Sequence, residues 1–493
     1  MNVLEPFALS LSKGAFLRAS LLALALPLFG PAAWAQAQTQ APEPEPLAPA
    51  AVASAPVPEP AKSFTVPALE IVGFDFLLNR YNRRFSGSHD YDVTAATIRR
   101  NLRGPWVVDN DPFKVNQFAH PIQGSLYHGA GRATGLSYWE AAALTFGGSV
   151  AWEIAGERTP PSRNDQIASG ISGSFLGEPL YRMAQMVLRE RSSIPPAWRE
   201  WVAAAISPAL GFNRLAFGPR FGAAFDDHDP AYYGRMHIGQ THVTRHDFDP
   251  STDFKSNMAQ IDFSLEYGLP GKPGYTYRRP FDYFNFQVLF SSANGIENLS
   301  TRGLLYGTDF AIRDSYRGIW GLYANYDYLA PQIFHVSTTS LSLGTTGQWW
   351  LSQEIALQGT ALAGLGYSAV STTNRSVATD TEYHYGMAPR FALALRAING
   401  SRASVDVGAR VVSLGRVTNR GAGRDEISRV DTAFTWRIAG PHAIGVNYLW
   451  SHRSASYPVV GDRRQTLSTV GVYYTLLSGD GFGTVDWRPT AAR

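Results

Sequence analysis

Hydrophobic and polar residues alternate one by one along much of the C-terminal half of the chain. Between Ala403 and Val411 every second residue is apolar, and Ser404, Asp406 and Arg410 occupy positions between them. Successive side chains of a β-strand point to opposite faces, so this period of two predicts strands with one apolar and one charged face. Repeated over about ten residues, the pattern is typical of a transmembrane strand around a polar lumen. A soluble β-sandwich is the alternative, but it would expose fewer aromatic residues.

Twelve such runs follow one another after Asp229. The predicted fold class is therefore an all-β transmembrane antiparallel barrel of about 12 strands, preceded by a glycine-rich α-helical module. An even strand count places both ends of the barrel, residues 226–478, on the periplasmic side. The first, third, seventh, ninth and eleventh connections are then expected to be long outer loops, and the second and fifth connections break this rule. The runs lie near residues 232–244, 256–267, 282–292, 302–312, 317–328, 335–349, 354–367, 382–397, 402–413, 428–438, 441–452 and 466–477.

Two features near the strand ends extend the membrane prediction. The final strand, residues 469–476, resembles the C-terminal signal read by the barrel-assembly machinery, but a tail of residues 479–493 follows it, whereas such signals usually end a chain. Several aromatic residues are placed as a membrane-interface girdle would be. They are Trp349, Trp350, Trp450, Tyr473 and Tyr474.

The hydrophobic period is helical upstream of the barrel, in a predicted module of residues 63–225. Pro121 suits the first turn of one helix, and Ser137 with Glu140 forms a capping box that opens the next. Glycines at spacings of three and four predict a stripe for close helix packing; they are Gly170, Gly173 and Gly177. We expect this module to plug the barrel or to lie beneath its periplasmic mouth.

The N-terminus has the features of an exported protein. Lys13 and Arg18 precede an apolar run, and Ala33 and Ala35 are small residues where a signal peptidase reads. Residues 1–35 are therefore predicted to be a signal peptide that is cleaved after Ala35. Residues 36–62 are rich in proline and alanine, which predicts a disordered linker.

Composition excludes several classes of function. The net charge is only +3, so no nucleic-acid partner is expected. The chain contains no cysteine, which excludes disulfides, thiolate metal sites and cysteine nucleophiles. No cofactor is expected. The partners that remain are outer-membrane lipid, including lipopolysaccharide, and the barrel-assembly machinery during insertion.

The candidate site lies in the helical module, where polar residues punctuate the apolar helices. Imidazole and carboxylates from neighbouring helices suit an acid–base pocket or a metal site, but no histidine pair has ligand spacing. A structural role is favoured over both, with His120 capping a helix and the acids pairing with arginines and buried backbone groups. Two acids four apart near a helix C-terminus also predict a compensating cation, which is Arg158, protonated His120 or a metal. The candidate catalytic residues are His120, Glu153, Glu157 and Asp165.

These residues occur in a run of short motifs. The motifs are NQFAHPIQGSLY from Asn116, WEIAGE from Trp152, PSRNDQ from Pro161 and GEPLYR from Gly177. The pattern resembles an uncharacterised family of exported Gram-negative proteins that is defined only as a domain of unknown function. The resemblance implies which residues to test and no activity.

A second candidate is the run His452-Arg453-Ser454 at the outer end of the eleventh strand. It is similar to the His-x-Ser arrangement of lipid A deacylases, in which histidine activates serine. His452 and Ser454 are thus candidate catalytic residues of a membrane-embedded hydrolase acting on envelope lipid. The acidic orienter of such enzymes is missing, apart from Asp462.

The predicted inner face of the barrel carries arginines that either select anions or pair with acids. Pairing is favoured because a buried lumen must balance its charges. The sequence therefore predicts an outer-membrane barrel with a structural or channel-like role, and the envelope-lipid hydrolase is the alternative. The arginines are Arg390, Arg396, Arg410, Arg429 and Arg437, and the acids are Asp406, Asp431 and Glu266.

Overall fold

The computed structural model describes most of the chain after residue 60. It covers residues 61–109, 111–189, 194–221, 229–246, 254–331, 333–372, 383–415, 423–457 and 461–488. The predicted signal peptide and all but the last two residues of the predicted linker lie outside the described residues.

Twelve antiparallel strands form one closed barrel, as the sequence predicted. Each strand pairs with its neighbours in the chain, and β1 closes the ring by pairing with β12. The strands are β1 (Tyr232–His246), β2 (Phe254–Tyr267), β3 (Phe284–Ser291), β4 (Gly295–Ile312), β5 (Tyr316–Leu329), β6 (Phe334–Trp350), β7 (Ile355–Thr372), β8 (Tyr383–Asn399), β9 (Ala403–Gly415), β10 (Arg424–Ala439), β11 (His442–Tyr457) and β12 (Gly461–Leu477).

The connections distinguish the two ends of the barrel. Residues 268–283, 313–315, 351–354, 400–402 and 440–441 join strands at one end, which we call the turn end because four of its five connections are short, and the opposite end is the outer end. Short turns mark the periplasmic side of bacterial barrels. The prediction of long third and eleventh connections was wrong. The third spans only 292–294, because β4 begins at Gly295 and not near residue 302, and the eleventh spans only 458–460.

The alternation of faces follows the sequence pattern. Val405 and Val407 point outward and are exposed, whereas Asp406 lies between them inside the lumen and contacts Arg396 of β8. The same alternation corrects the predicted girdle. Trp349 and Tyr474 face outward, but their neighbours Trp350 and Tyr473 point inward and are buried. Adjacent residues of one strand cannot both face lipid.

Seven helices of nine or more residues lie in the described part of the module that precedes the barrel. They are α1 (Thr65–Phe85), α2 (Ala95–Arg103), α3 (His120–Ala133), α4 (Tyr138–Ala155), α5 (Gly173–Leu188), α6 (Pro196–Ile206) and α7 (Pro208–Phe217). The predicted capping box is present, since the Ser137 side chain accepts from the Glu140 backbone while Glu140 accepts from Ser137. The glycine stripe brings α5 against α3: a Cβ added at Gly173 would lie 2.5 Å from the Cα of Gly124.

The module packs against the outer wall of the barrel, on the side formed by β2 to β8. The Ser172 hydroxyl hydrogen-bonds to that of Thr339 on β6. Thr339 shares its face with Leu341 and Leu343, which are exposed, whereas Ser340 points into the lumen and accepts from Arg390. Tyr326 of β5 also points outward and donates to the backbone oxygen of Gln117 at 2.7 Å. The sequence placed the module in or beneath the barrel mouth; its contacts are instead with outward-facing side chains.

The module extends along the wall from one end of the barrel to the other. At the turn end, Tyr138 stacks on Phe281 with ring centroids 5.4 Å apart. At the outer end, the Tyr383 hydroxyl at the start of β8 donates to the backbone oxygen of Asp111 at 2.7 Å. The aromatic residues of β2 and β3 that would otherwise face lipid are buried beneath the helices, among them Phe263, Phe284 and Phe286.

Candidate functional site

Most of the predicted site residues meet in one buried polar cluster at the outer end of the module. His120 follows a π-helical turn, Val115–Ala119, and Asp165 precedes another, Gln166–Ser172. Such turns displace side chains from the ordinary helical register and are frequent at functional sites. Neither turn was predicted, because the hydrophobic period of the sequence does not distinguish a π-helical turn from an α-helical one.

His120 lies between a hydroxyl and a carboxylate. Its Nδ1 is 3.0 Å from Ser169 Oγ, and its Nε2 is 3.5 Å from Asp165 Oδ2. The order serine, histidine, aspartate is that of acyl-transfer triads. Ser169 is only 2% exposed, however, and its backbone packs against Gly124 of α3. As arranged, the group can hold and exchange a proton, but no substrate carbonyl can approach Ser169.

The sequence missed the residues that complete the cluster. Asp109 accepts hydrogen bonds from Asn116 and Asn164, at 2.6 and 2.7 Å. The same two amides donate to the hydroxyls of Tyr383 and Tyr385 on the barrel wall, at 2.7 and 3.0 Å. Asn116 lies in a quoted motif, but Tyr383 and Tyr385 read as ordinary lipid-facing strand residues. Nothing in the sequence alone shows that helices cover them.

Glu153 and Glu157 belong to the cluster but bond to uncharged partners. Glu153 accepts from the Ser162 backbone at 2.8 Å, and Glu157 accepts from the Trp152 indole at 3.0 Å. Burial, reinforced by the neighbouring Glu157, raises the pKa of Glu153 well above its ordinary value. Burial and the charge of Asp111 raise the pKa of Glu157 to about 7. The partners of these two glutamates are thus neutral donors and not the predicted cation, and burial disfavours the charged form of both carboxylates.

The carboxyl group of Asp165 also has a raised pKa, for similar reasons. Burial first, and then the adjacent Asp109 and Glu153, raise the pKa of its carboxyl well above the ordinary value. Two carboxyl groups side by side in a buried site cannot both ionise. Among the described residues, no three histidine or carboxylate side chains are grouped so that they could hold a metal ion.

A second polar group of the module is built from ion pairs. Glu178 on α5 accepts from Arg132, Arg182 and His128, with distances of 2.8, 2.9 and 3.0 Å. Arg182 also contacts Asp282 of the barrel at 3.1 Å. Glu178 and Arg182 lie four residues apart on α5, a spacing at which opposite charges on a helix meet. Burial would raise the pKa of Glu178, but Arg132, His128 and Arg182 outweigh it and hold the pKa below its ordinary value.

The second predicted site is not assembled. His452 and Ser454 do face outward, as the alternation predicted, but His452 Nδ1 contacts the Thr466 hydroxyl at 2.8 Å and its ring stacks on Trp450. Arg453 between them points inward to Asp425 at 2.6 Å. Because the histidine engages a threonine of the next strand and no serine, the structure does not support the lipid A deacylase alternative.

Three of the predicted lumen arginines, Arg390, Arg396 and Arg410, pair with acids of the lumen, as the sequence predicted. Within the described chain Arg429 and Asp431 form no ion pair, and Arg437 instead contacts Asp480 of the tail at 3.5 Å. Asp406 joins Arg396 and Arg235 at 2.6 and 3.0 Å, and Arg396 reaches Glu266 at 3.3 Å. Asp327 likewise contacts both Arg410, at 3.0 Å, and Arg390. These pairs cross the barrel, since Asp327 lies on β5 and Arg410 on β9. They border a polar cavity of about 120 Å³.

Other groups occupy both ends of the lumen. Inward-facing apolar side chains from many strands meet at the outer end, including Val243, Phe334 and Ile427. At the turn end, the C-terminal tail folds under the barrel. The Val485 backbone oxygen accepts from Gln348 at 2.7 Å and from Trp350 at 3.1 Å.

No helix of the described chain combines the length and the hydropathy that crossing a membrane requires.

Comparison with solved structures finds outer-membrane barrels. The chain is similar to the NanC porin (TM-score 0.24, 6% identity, covering 48% of this chain and 98% of that one). It is similar to an outer membrane channel from Pseudomonas putida F1 (TM-score 0.29, 13% identity, 51% and 96%). A third match is the translocator domain of the autotransporter NalP from Neisseria meningitidis (TM-score 0.23, 14% identity, 50% and 90%).

No curated protein matches the chain. A family model does match the helical module, over residues 105–209. This range contains all four motifs that carried the resemblance noted above. The chain thus combines a closed 12-stranded barrel with a preceding helical module, of which residues 105–209 match the model of the Domain of unknown function (DUF3943).

Proposed function

We propose that the protein is an outer-membrane scaffold of channel-like architecture, whose barrel is closed at rest and holds the helical domain on its outer wall. The observation that carries this proposal is the closure of the lumen at both ends, by apolar side chains near Phe334 and by the tail near Val485. A barrel built to pass solutes continuously would keep a polar path between its ends.

The contact between the module and the wall supports the same conclusion. Asn116, Gln117 and Asn164 bond to tyrosine hydroxyls of the barrel, and Arg182 to Asp282. Buried polar groups need partners in fixed positions, because an unmade buried hydrogen bond costs about 1–3 kcal/mol. A closed barrel supplies such fixed partners, and the module in turn covers wall that otherwise faces lipid.

The proposal includes the route to the membrane. The chain is exported by its signal peptide, which is cleaved after Ala35, and the barrel-assembly machinery inserts it by reading the strand that ends at Leu477.

Electrical recordings of the full-length protein in planar bilayers test the closed barrel. We expect no steady conductance from the wild-type protein. A steady, porin-like conductance would overturn the proposal. Gel mobility that changes on boiling confirms that the sample recorded is a folded barrel.

A tail-gated channel for small polar solutes is the second candidate, favoured by the polar cavity that lies directly behind the tail. The Gln358 amide at this cavity donates to the Gly483 backbone oxygen of the tail at 2.7 Å. A variant truncated after Ser478 separates the two candidates. The gated channel predicts that truncation opens a conductance, whereas the scaffold stays closed because the apolar outer end remains.

A further inference from the structure

The free surface of the helical module combines an apolar face with a basic rim. On α1, Leu69, Val72 and Phe76 lie on one face and are 66%, 61% and 61% exposed. Both carboxylates of α1 are engaged elsewhere, since Asp75 accepts from Tyr127 and Glu70 accepts from Asn213. The exposed face of α1 therefore carries no charged side chain on the N-terminal side of Arg80.

The apolar face continues into the lipid-facing surface of the barrel. Phe146 of α4 is 46% exposed, and no charged residue lies between Glu140 and Glu153 of that helix. At the turn end of α4, Trp139 stacks on Tyr306 of β4 with ring centroids 5.5 Å apart, and both rings remain exposed. Because outward aromatic residues of a barrel end face lipid, the helix that stacks on one meets the same lipid.

The basic rim lies at the outer end of the module. We define it by Arg80, Arg83, Arg84, Arg99, Arg103 and Arg158, which are all exposed. Hydrogen bonds hold together the segments that carry the rim arginines. The Asn79 amide donates to the backbone oxygens of Tyr91 and Gly156, and the Arg158 backbone donates to that of Asp90. Asp90 and Asp92 supply acids at this surface, and Arg83 contacts Asp92 at 2.8 Å.

The contacts with the barrel show at which height along the membrane normal the basic rim lies. Asp111, which raises the pKa of Glu157 next to Arg158, accepts from Tyr383 at the outer end of β8. The turn end is the periplasmic side, so the rim is level with the headgroups of the outer leaflet. α1 is 21 residues long, and at 1.5 Å per residue it extends for roughly 30 Å from the turn end to the rim.

We propose that this surface binds a phosphorylated, multiply acylated lipid of the outer leaflet, as lipopolysaccharide is, with acyl chains on the α1 and α4 face and phosphates on the arginine rim. Guanidinium groups are suited to phosphate because they donate two parallel hydrogen bonds to it. The inference rests on the proposed placement of the module on the outer wall. It adds that the scaffold presents a specific lipid site.

The test measures binding of fluorescent lipopolysaccharide to the full-length protein in non-ionic detergent micelles. The double variant Arg99→Gln/Arg103→Gln removes two rim charges on exposed α2 positions. Its matched control, Arg278→Gln/Arg402→Gln, removes two exposed arginines at the turn end. We expect the rim variant to bind roughly tenfold or more weakly, and the control to change less than about twofold. Equal affinities of the two variants would overturn the proposal.

Two further arms identify what is bound. Inorganic phosphate at millimolar concentration should not displace the lipid, because it lacks acyl chains; displacement would mean a simple anion site and would overturn the lipid assignment. A photo-crosslinking amino acid at Val72 should give a lipopolysaccharide adduct in intact cells, and adducts with protein alone would contradict it. Heat-modifiable gel mobility shows whether each variant forms the barrel, and conductance tests the scaffold separately, so failure of one proposal does not imply failure of the other.

Discussion

The lumen and the outer end of the helical module both bury charged residues, but they neutralise them differently. In the lumen, Asp406 and Asp327 each contact two arginines. In the module cluster, Glu153, Glu157 and Asp165 have no arginine among their hydrogen-bond partners in the described chain, and burial raises their pKa values. Ion pairs between arginine and carboxylate stay charged across neutral pH, whereas a protonated carboxyl group can lose its proton as the pH rises. The lumen therefore holds fixed charges, and the outer end of the module holds titratable ones.

The largest expected effect is seen when a buried glutamate is replaced by glutamine, once in an ion-paired site and once in a site with neutral donors. Glu178→Gln removes the charge that Arg132 and Arg182 share, and it should destabilise the module by about 3–5 kcal/mol because buried cations lose their partner. Glu153→Gln should cost about 1 kcal/mol or less, since the amide oxygen still accepts from Ser162. Hydrogen exchange of residues 105–189 measures both. Similar losses at the two positions would mean that Glu153 is ionised and paired.

A charge placed on the lipid face of the barrel should rank second. Val407 points outward next to the paired Asp406, and Val407→Arg is expected to destabilise the barrel by about 2–4 kcal/mol near the bilayer midplane. Unfolding in urea with lipid vesicles measures the change, with Val407→Ala as the control. Equal stability of the two variants would mean that this wall does not contact lipid.

The titratable cluster should make the module sensitive to pH. The folded-state pKa of Glu157 is raised to about 7, so the folded form holds the proton more tightly than the unfolded form, whose pKa is near 4.5. The contribution of Glu157 to the stability of the module should thus be fully present below about pH 4.5 and should fall, by about 1–3 kcal/mol, as the pH rises to about 7. Hydrogen exchange across this range should show the slope, and Glu157→Gln should flatten it. An unchanged slope in the variant would assign the titration to another group.

The smallest expected effect is the loss of one hydroxyl at the junction of module and wall. Tyr385 accepts from Gln117 and Asn164, and Tyr385→Phe should weaken docking by about 1 kcal/mol. Faster proteolysis of the helices would report it, with the outward-facing Tyr448→Phe as the control. No difference between the two variants would mean that these hydrogen bonds form equally well with water.

The sequence predicted the elements well because each depends on local pattern. The period of two located all twelve strands, and the capping box at Ser137 located α4. Placement of the module failed because it depends on which barrel face the helices cover. Phe263 and Phe286 alternate as lipid-facing residues would, and helices bury them just as well.

The candidate site was predicted only in part, again because the sequence does not show which distant segments pack together. His120 and Asp165 lie in motifs and do meet, 3.5 Å apart, but Ser169, Asp109 and Tyr385 come from other segments or from the barrel. The prediction of a cation beside Glu153 and Glu157 considered only the charges along one helix. Burial instead favours protonated carboxyls, and the extent of burial appears only in the fold.

The position of the module on the outer wall can be measured directly with a disulfide. The chain has no cysteine, so the pair Ser172→Cys/Thr339→Cys is free of competing thiols. These hydroxyls are in contact, and Thr339 faces outward, whereas the adjacent Ser340 faces the lumen. We expect the Ser172/Thr339 pair to crosslink in membranes and the control pair Ser172→Cys/Ser340→Cys to remain reduced. Crosslinking of the control pair alone would place the helices inside the barrel and contradict the outer-wall arrangement.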